Sequence, residues 1–222
     1  MWGGAIGEKY IIPTIGVWDN PKDIEWDKLP NQFVLKCTHD SGGLIICKDK
    51  NCLDKDAAYK KLKKCLCQNY YRKWREWPYK DVPRRIIAEE YIEPDARTHD
   101  LPDYKFFCFN GEPKYCQVIS GREHIMSVDF FDKDWKHQPF HEPRYLPFAE
   151  VLPEKPSRYE EMWELAGKLA KDKAFSRIDF YQVREQVFFG EITFYPTTGM
   201  GGFDPEEYDL KFGELIRLPL RN

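Results

Sequence analysis

Apolar residues recur along this chain with two different periods, and the changes of period mark out its elements. Phe33-Val34-Leu35-Lys36-Cys37 and Leu44-Ile45-Ile46-Cys47 are short apolar runs on either side of Thr38-His39-Asp40-Ser41-Gly42-Gly43, which predicts a strand, a glycine turn and a strand. From Asp54 to about Trp74 the spacing lengthens: Tyr59, Leu62, Leu66 and Tyr70 fall on one helical face, and Pro78 and Pro83 end it. Arg85 to Ile92 reads as a strand running towards Pro94. Asp103 to Phe109 and Lys114 to Ile119 flank Asn110-Gly111, the dipeptide of a tight hairpin. Ser127 to Phe131 adds a strand, and the proline-rich tract from Pro139 to Pro156 reads as a long surface connection. Ser157 with Glu160 three residues on has the form of a capping box. Tyr159, Met162, Trp163, Ala166, Leu169 and Ala170 then make one apolar stripe, predicting a helix from Ser157 to about Lys171. Pro205-Glu206-Glu207 opens a short helix that Phe212 and Leu215 can dock. The glycine-rich start, Met1 to Gly7, lacks periodicity and reads as loop.

Antiparallel hairpins with helices between them, rather than regular strand–helix–strand alternation, predict an α+β fold. The natural division falls near Trp77 to Arg84, giving a small lobe over residues 1–80 and a large lobe over 81–222, and ligands prefer such junctions. The 222 residues are 42% hydrophobic and 16% aromatic, enough for a substantial core. A net charge of −3 gives no reason to expect nucleic acid, and the basic stretch from Lys60 to Arg75 reads as the wet face of a helix. Seven cysteines without a C-x-x-C pair fit a reducing, cytoplasmic setting. Zinc binding by Cys65 with Cys67 is disfavoured, because residues two apart on a helix do not face each other. No signal peptide and no apolar run of membrane-spanning length is present.

The chemistry concentrates in Arg177-Ile178-Asp179-Phe180-Tyr181 and Gly190-Glu191-Ile192-Thr193-Phe194-Tyr195-Pro196. A three-residue loop at Arg184-Glu185-Gln186 would set Asp179 opposite Glu191 and Arg177 opposite Thr193. Ile178 would meet Ile192, and Phe180 would meet Gly190, on the other face. Opposed residues have Cβ atoms about 4.5–5.5 Å apart, so the two carboxylates repel unless a cation or proton lies between them. Mg²⁺ suits such a pair, with phosphate oxygens completing its shell, and Arg177 offers a fork for phosphate. The alternative is a solvated strand pair in which Arg177 merely neutralises Asp179. Lys36 before Ser41-Gly42-Gly43 places a cation beside turn amides, a phosphate-holding combination or else a solvated strand end. Glu89 and Glu90 stand where a strand leaves the core, either meeting an adenine amino group or simply becoming solvated.

In order, these features resemble the ATP-grasp fold. More narrowly, Ile12-Pro13-Thr14-Ile15-Gly16-Val17-Trp18, Leu29-Pro30-Asn31-Gln32-Phe33-Val34-Leu35-Lys36-Cys37, Tyr104-Lys105-Phe106-Phe107-Cys108-Phe109-Asn110-Gly111-Glu112-Pro113 and Gly190 to Pro196 resemble its TupA-like branch, named for teichuronopeptide biosynthesis and often found with cell-surface polysaccharide genes. The resemblance runs from about Tyr10 to Leu218. It implies two α+β lobes clasping ATP, with Lys36 on the phosphates under a loop formed by Ser41, Gly42 and Gly43. It implies that Glu89 accepts from the adenine amino group, that the backbone of Glu90 and Tyr91 lines the base, and that Asp103 takes the ribose hydroxyls. Lys105 is implied on the phosphate or substrate side. Asp179, Glu191 and Thr193 would bind Mg²⁺, and Arg177 would stabilise the transferred phosphoryl group or an oxyanion. Many ATP-grasp ligases carry Asn where Thr193 stands. They also have an amino-terminal part with another phosphate-binding lysine, for which this sequence begins too late, so the expectation is a fragment, a subunit to which a partner chain supplies that part, or an inactive copy.

The activity so implied is carboxylate–amine ligation through an acyl phosphate. Its substrates would be a small-molecule, peptide or sugar-acid carboxylate and an amine. Two rivals share the nucleotide site: a phosphotransferase acting on a hydroxyl, and a non-catalytic nucleotide-binding module. No Ser-His-Asp or Cys-His set supports hydrolase chemistry, and a glycosyltransferase lacks support because no nucleotide-sugar fold is indicated.

Overall fold

A computed structural model describes residues 3–94, 101–121, 126–143 and 148–218, which form two compact units: Ile12–Ile92, and Met1–Ile11 together with Glu93–Asn222. The smaller unit holds β1 (Thr14–Trp18), β2 (Phe33–Cys37), β3 (Ile45–Cys47) and β4 (Ile86–Glu90) in the order β1-β4-β2-β3, every pairing antiparallel. Alternation along β2 buries Phe33, Leu35 and Cys37, and along β4 it buries Ile86 and Ala88. This face packs on Leu62 and Cys65 of α1 (Lys55–Cys67). The expected single helix over residues 54–74 is two: Gln68 turns extended, and the Asn69 side chain accepts from Arg72 N at 2.9 Å to start α2 (Tyr70–Trp74). A new cap outcompetes helix continuation there. β4 pairs with both β1 and β2, so the small unit extends past residue 80 to Ile92. Residues 3–11 belong with the large unit, where Ile11 bridges Phe189 and Gln186 Nε2 donates to Lys9 O.

In the large unit β5 (Asp103–Phe109), β6 (Glu112–Ser120), β7 (Ser127–Phe131), β8 (Phe175–Val183) and β9 (Gln186–Thr193) form an antiparallel sheet in the order β7-β6-β5-β8-β9. Asn110 (φ 51°) and Gly111 (φ 86°) make the expected tight hairpin between β5 and β6. Tyr104, Phe106, Cys116, Val118, Ile178 and Phe180 line one face of the sheet and pack on α3 (Tyr159–Ala170) through Tyr159, Met162, Leu165, Ala166 and Leu169. Each large side chain buried there contributes about 1.5–3 kcal/mol, so this layer anchors the sheet. The predicted capping box does not form. Ser157 Oγ instead donates to Glu185 Oε1 at 3.0 Å and accepts from Gln182, while Glu160 pairs with Lys155. On the opposite face an aromatic cluster of Phe107, Phe109, Phe130, Phe140 and Phe212 seats α4 (Glu207–Leu215). Phe140 is fully buried, so the proline-rich tract is anchored in the core rather than wholly superficial. The rest of that face is polar.

Candidate active site

The polar half of that face follows from register. Asp179 pairs with Glu191 and Arg177 with Thr193 on β9, while Lys105 pairs with Asp179 across β5. The hairpin reaches this register by a different route from the one expected. Val183 pairs with Gln186, so the loop has two residues, Arg184 and Glu185, and Arg184 takes φ 54°. A bulge then inserts Gly190, and Phe180 faces Phe189 instead of Gly190. One residue fewer in the turn and one more in the strand cancel, leaving Asp179 opposite Glu191. Glycine suits the bulge, since a Cβ on Gly190 would lie 3.1 Å from Asp179 O.

Around Asp179 the charges interlock. Arg177 donates from Nε to Asp179 Oδ1 and from Nη2 to Oδ2, both at 2.8 Å, a two-point grip that fixes the carboxylate plane. Lys105 Nζ also bonds Asp179 Oδ2 and lies 2.7 Å from Asp103 Oδ2. Burial alone would raise the Asp179 pKa, but the Arg177 charge and then the Lys105 charge outweigh it and hold the carboxyl below its ordinary value. The same anions raise the Arg177 pKa against desolvation. Glu191 is the unsettled member: desolvation and then the Asp179 charge push its pKa up despite Arg177. Its Oε1 accepts from Arg177 Nη2 and Thr193 Oγ1, each at 3.2 Å.

Asp103, Asp179 and Glu191 against Lys105 and Arg177 leave one negative charge in excess, felt at Glu191. An excess of this sign, with a hydroxyl and an elevated carboxylate adjacent, fits a hard divalent cation such as Mg²⁺. Glu191 is the better-placed ligand. Asp179 Oδ2 accepts from both Arg177 and Lys105 while Oδ1 accepts from Arg177 alone, so Oδ1 is the oxygen with a lone pair left for a cation.

The structure brings together Asp103, Lys105, Arg177, Asp179, Glu191 and Thr193. Asp103, with 2% of its surface exposed, faces Lys105 rather than open solvent. Beside Lys105 across the sheet lies a pair that sequence reasoning missed: buried Gln117 donates to buried Glu142 at 2.8 Å. A glutamine inside the apolar run of β6 was the available signal.

In the small unit Lys36 and Glu89 meet on the face away from α1 and form an ion pair at 2.7 Å. The resemblance implies separate roles for these two residues, but Lys36 here already has a carboxylate partner. Ser41 and Gly42 are exposed and Gly43 is buried, while Glu90 is exposed and Tyr91 half-buried at the end of β4. Gly42 sits at φ +89°, a conformation that side chains resist. His39 turns inward, its Nε2 lying 3.2 Å from Gln68 O.

The profile described as TupA-like ATPgrasp matches residues 3–217. The chain belongs to this family. Its two antiparallel sheets with their helices are accordingly the two units of an ATP-grasp fold. Among solved structures, this ATP-grasp chain is similar to a D-alanine–D-alanine ligase from Bacillus anthracis complexed with ATP (15% identity, 82% of this chain and 47% of that one, TM-score 0.44). It is also similar to the D-alanine–D-alanine ligase from Helicobacter pylori (14%, 93% and 56%, TM-score 0.46), and to Cdc123 from Schizosaccharomyces pombe (12%, 90% and 83%, TM-score 0.47). The chain spans about half the length of these ligases. No curated protein matches it. No helix among the described residues of this ATP-grasp chain is long and apolar enough to cross a membrane.

Proposed function

We propose that this chain is an ATP- and Mg²⁺-dependent ligase that joins a carboxylate to an amine through an acyl phosphate, in the making of a cell-surface polymer of the teichuronopeptide kind. The observation that carries this reading is the opposed pair Asp179 and Glu191 with Arg177 locked beside them on one sheet face. Family membership supports ATP as the cosubstrate. A magnesium ion held by Glu191, with Asp179 and Thr193, would supply charge neutralisation for the triphosphate.

The residues themselves do the positioning. Arg177, oriented by Asp179, presents a fixed guanidinium to the phosphoryl group as its charge spreads in the transition state. Lys105, held by Asp103 and Asp179, keeps a second cation on the same face. Lys36 binds the phosphates when it exchanges Glu89 for them, which frees the Glu89 carboxylate to accept from the adenine amino group. Ser41, Gly42 and Gly43 offer backbone amides to the phosphates, and the backbone of Glu90 and Tyr91 lines the base. The substrate carboxylate attacks the γ-phosphorus and ADP leaves. An amine then adds to the acyl carbon, phosphate departs, and the amine gives up a proton to form the amide. Small peptide or sugar-acid substrates match this chemistry. Seven free thiols agree with a reducing cytoplasm.

The test is ADP and phosphate release with a panel of sugar-acid and amino-acid carboxylates and amines, alongside mass spectrometry for the amide. Phosphate release that requires both substrates, and falls at least a hundredfold in Glu191→Gln, is the expected result. Unchanged turnover in Glu191→Gln would remove the site, and a stable phosphorylated hydroxyl product would replace the ligase with a kinase.

A further inference from the structure

A second cluster of ligating side chains lies in the small unit and shares no residue with the charge cluster of the large one. Cys37 ends β2, Asp40 follows in the turn, and Cys65 lies on the inner face of α1 with Ala58 and Leu62. Their sulfurs and a carboxylate oxygen all lie within 4.8 Å of one another. Packing explains the meeting. Strand alternation turns Cys37 to the same side as Phe33 and Leu35, and helical spacing of four and seven residues from Ala58 puts Leu62 and Cys65 towards that side. Gly43 lets Asp40 fold back, since a Cβ there would stand 2.3 Å from Asp40 Oδ2. The turn glycine therefore has a task besides offering an amide to phosphate.

We propose that Cys37, Cys65 and Asp40 bind one thiophilic divalent cation of the zinc class, with water completing a four-coordinate shell. Two sulfur ligands select such an ion and reject Mg²⁺. With Zn–S near 2.3 Å, a tetrahedral site separates its sulfurs by about 3.8 Å, so a contraction of about 1 Å at most from the observed spacing completes it. Cys65 thus pairs with Cys37 across the strand–helix interface and not with Cys67. Sulfur ligates such an ion as the thiolate, so binding displaces thiol protons. The bound ion would pin the root of the Ser41-Gly42-Gly43 turn to α1. This site does not depend on the ligase reading, since its readout is metal binding and not turnover.

The experiment uses the full chain, reduced and stripped of metal, titrated with Co²⁺ as a spectroscopic substitute for Zn²⁺. Sulfur-to-cobalt charge-transfer absorption saturating at one equivalent is expected, displaced by Zn²⁺ and unaffected by excess Mg²⁺. The absorption should vanish in Cys37→Ser and in Cys65→Ser, and persist in Cys52→Ser. In Asp40→Asn it should remain, with affinity at least tenfold weaker. Absence of the band, or its survival in the Cys37→Ser/Cys65→Ser double variant, overturns the proposal. If the cysteine variants fail to fold by circular dichroism, the wild type decides: Zn²⁺ must slow alkylation of Cys37 and Cys65 but not of Cys52 and Cys67, and equal rates with and without the ion overturn it.

Discussion

Replacing Lys105 by Met tests whether the charge cluster is the linked unit that its geometry describes. Methionine keeps an unbranched stem of similar length and removes only the ammonium, which touches Asp103 and Asp179. All three residues are buried, with 8%, 2% and 1% of their surfaces exposed. Removing one partner of a buried ion pair costs about 3–5 kcal/mol. Because Arg177 still grips Asp179 at two points, the lower end applies, about 3 kcal/mol. For a protein of this size each kcal/mol moves the midpoint by about 2–4 °C, so the transition of the large unit should fall by about 6–12 °C in calorimetry.

The pH dependence gives the sign. Asp179 is held below its ordinary value by Arg177 and Lys105, so its stabilisation is complete above the unfolded carboxylate pKa and is lost as pH falls through the folded one. Without Lys105 the Asp179 carboxylate loses one of the two charges that hold its pKa down and binds a proton more readily. The deficit of Lys105→Met should accordingly be at its full size at neutral pH, above the unfolded carboxylate pKa of about 3.9, and shrink only as pH falls below that value. Asp103→Asn added to Lys105→Met should recover part of the loss, because a neutral amide no longer needs the ammonium. A midpoint unchanged to within about 1 °C, or strict additivity of the two substitutions, would refute the linkage.

Three further outcomes follow from particular contacts. Glu191 has a raised pKa, so its contribution favours the fold at pH below the unfolded value and is lost as pH rises through the folded one. Glu191→Gln should therefore match or exceed the wild-type midpoint at neutral pH. The gain is about 0.2–0.5 kcal/mol for relief of an opposed, half-exposed like charge, and a clear loss of stability in calorimetry would contradict the charge count. Gly43→Ala puts a methyl 2.3 Å from Asp40 Oδ2, the end of a side chain that can swing aside, and should cost at most about 1 kcal/mol in urea unfolding. Combining it with Asp40→Ala should restore most of that loss. Tyr159→Phe removes the 2.8 Å hydrogen bond to Asp132 O while keeping the ring between Phe106 and Trp135. About 1 kcal/mol should be lost in the same assay, and no loss would show that the bond contributes nothing net.

Local pattern made much of this molecule legible. Alternation with a helical stripe between hairpins specified the α+β architecture, and Asn110-Gly111 specified its turn, because each signal lies within a few residues of its effect. β1 escaped notice because Thr14-Ile15-Gly16-Val17-Trp18 is short and broken by a glycine. The pairing of Asp179 with Glu191 was readable even though the turn was not. The two-residue loop and the Gly190 bulge shift the register by equal and opposite steps. Capping was decided elsewhere: Ser157 is spent on Glu185 and Gln182, brought to it by the hairpin.

By itself the sequence determined which residues share a face, since strand and helix periods are set by backbone geometry. Only the tertiary structure decided what those faces meet. Lys105 joins Asp179 from 74 residues away, Lys36 finds Glu89 across β2 and β4, and Cys37 meets Cys65 where strand packs on helix. Such meetings depend on the order of strands in a sheet and on which layer covers it. Burial of the apolar faces as a whole sets that order, and no local stretch of chain encodes it.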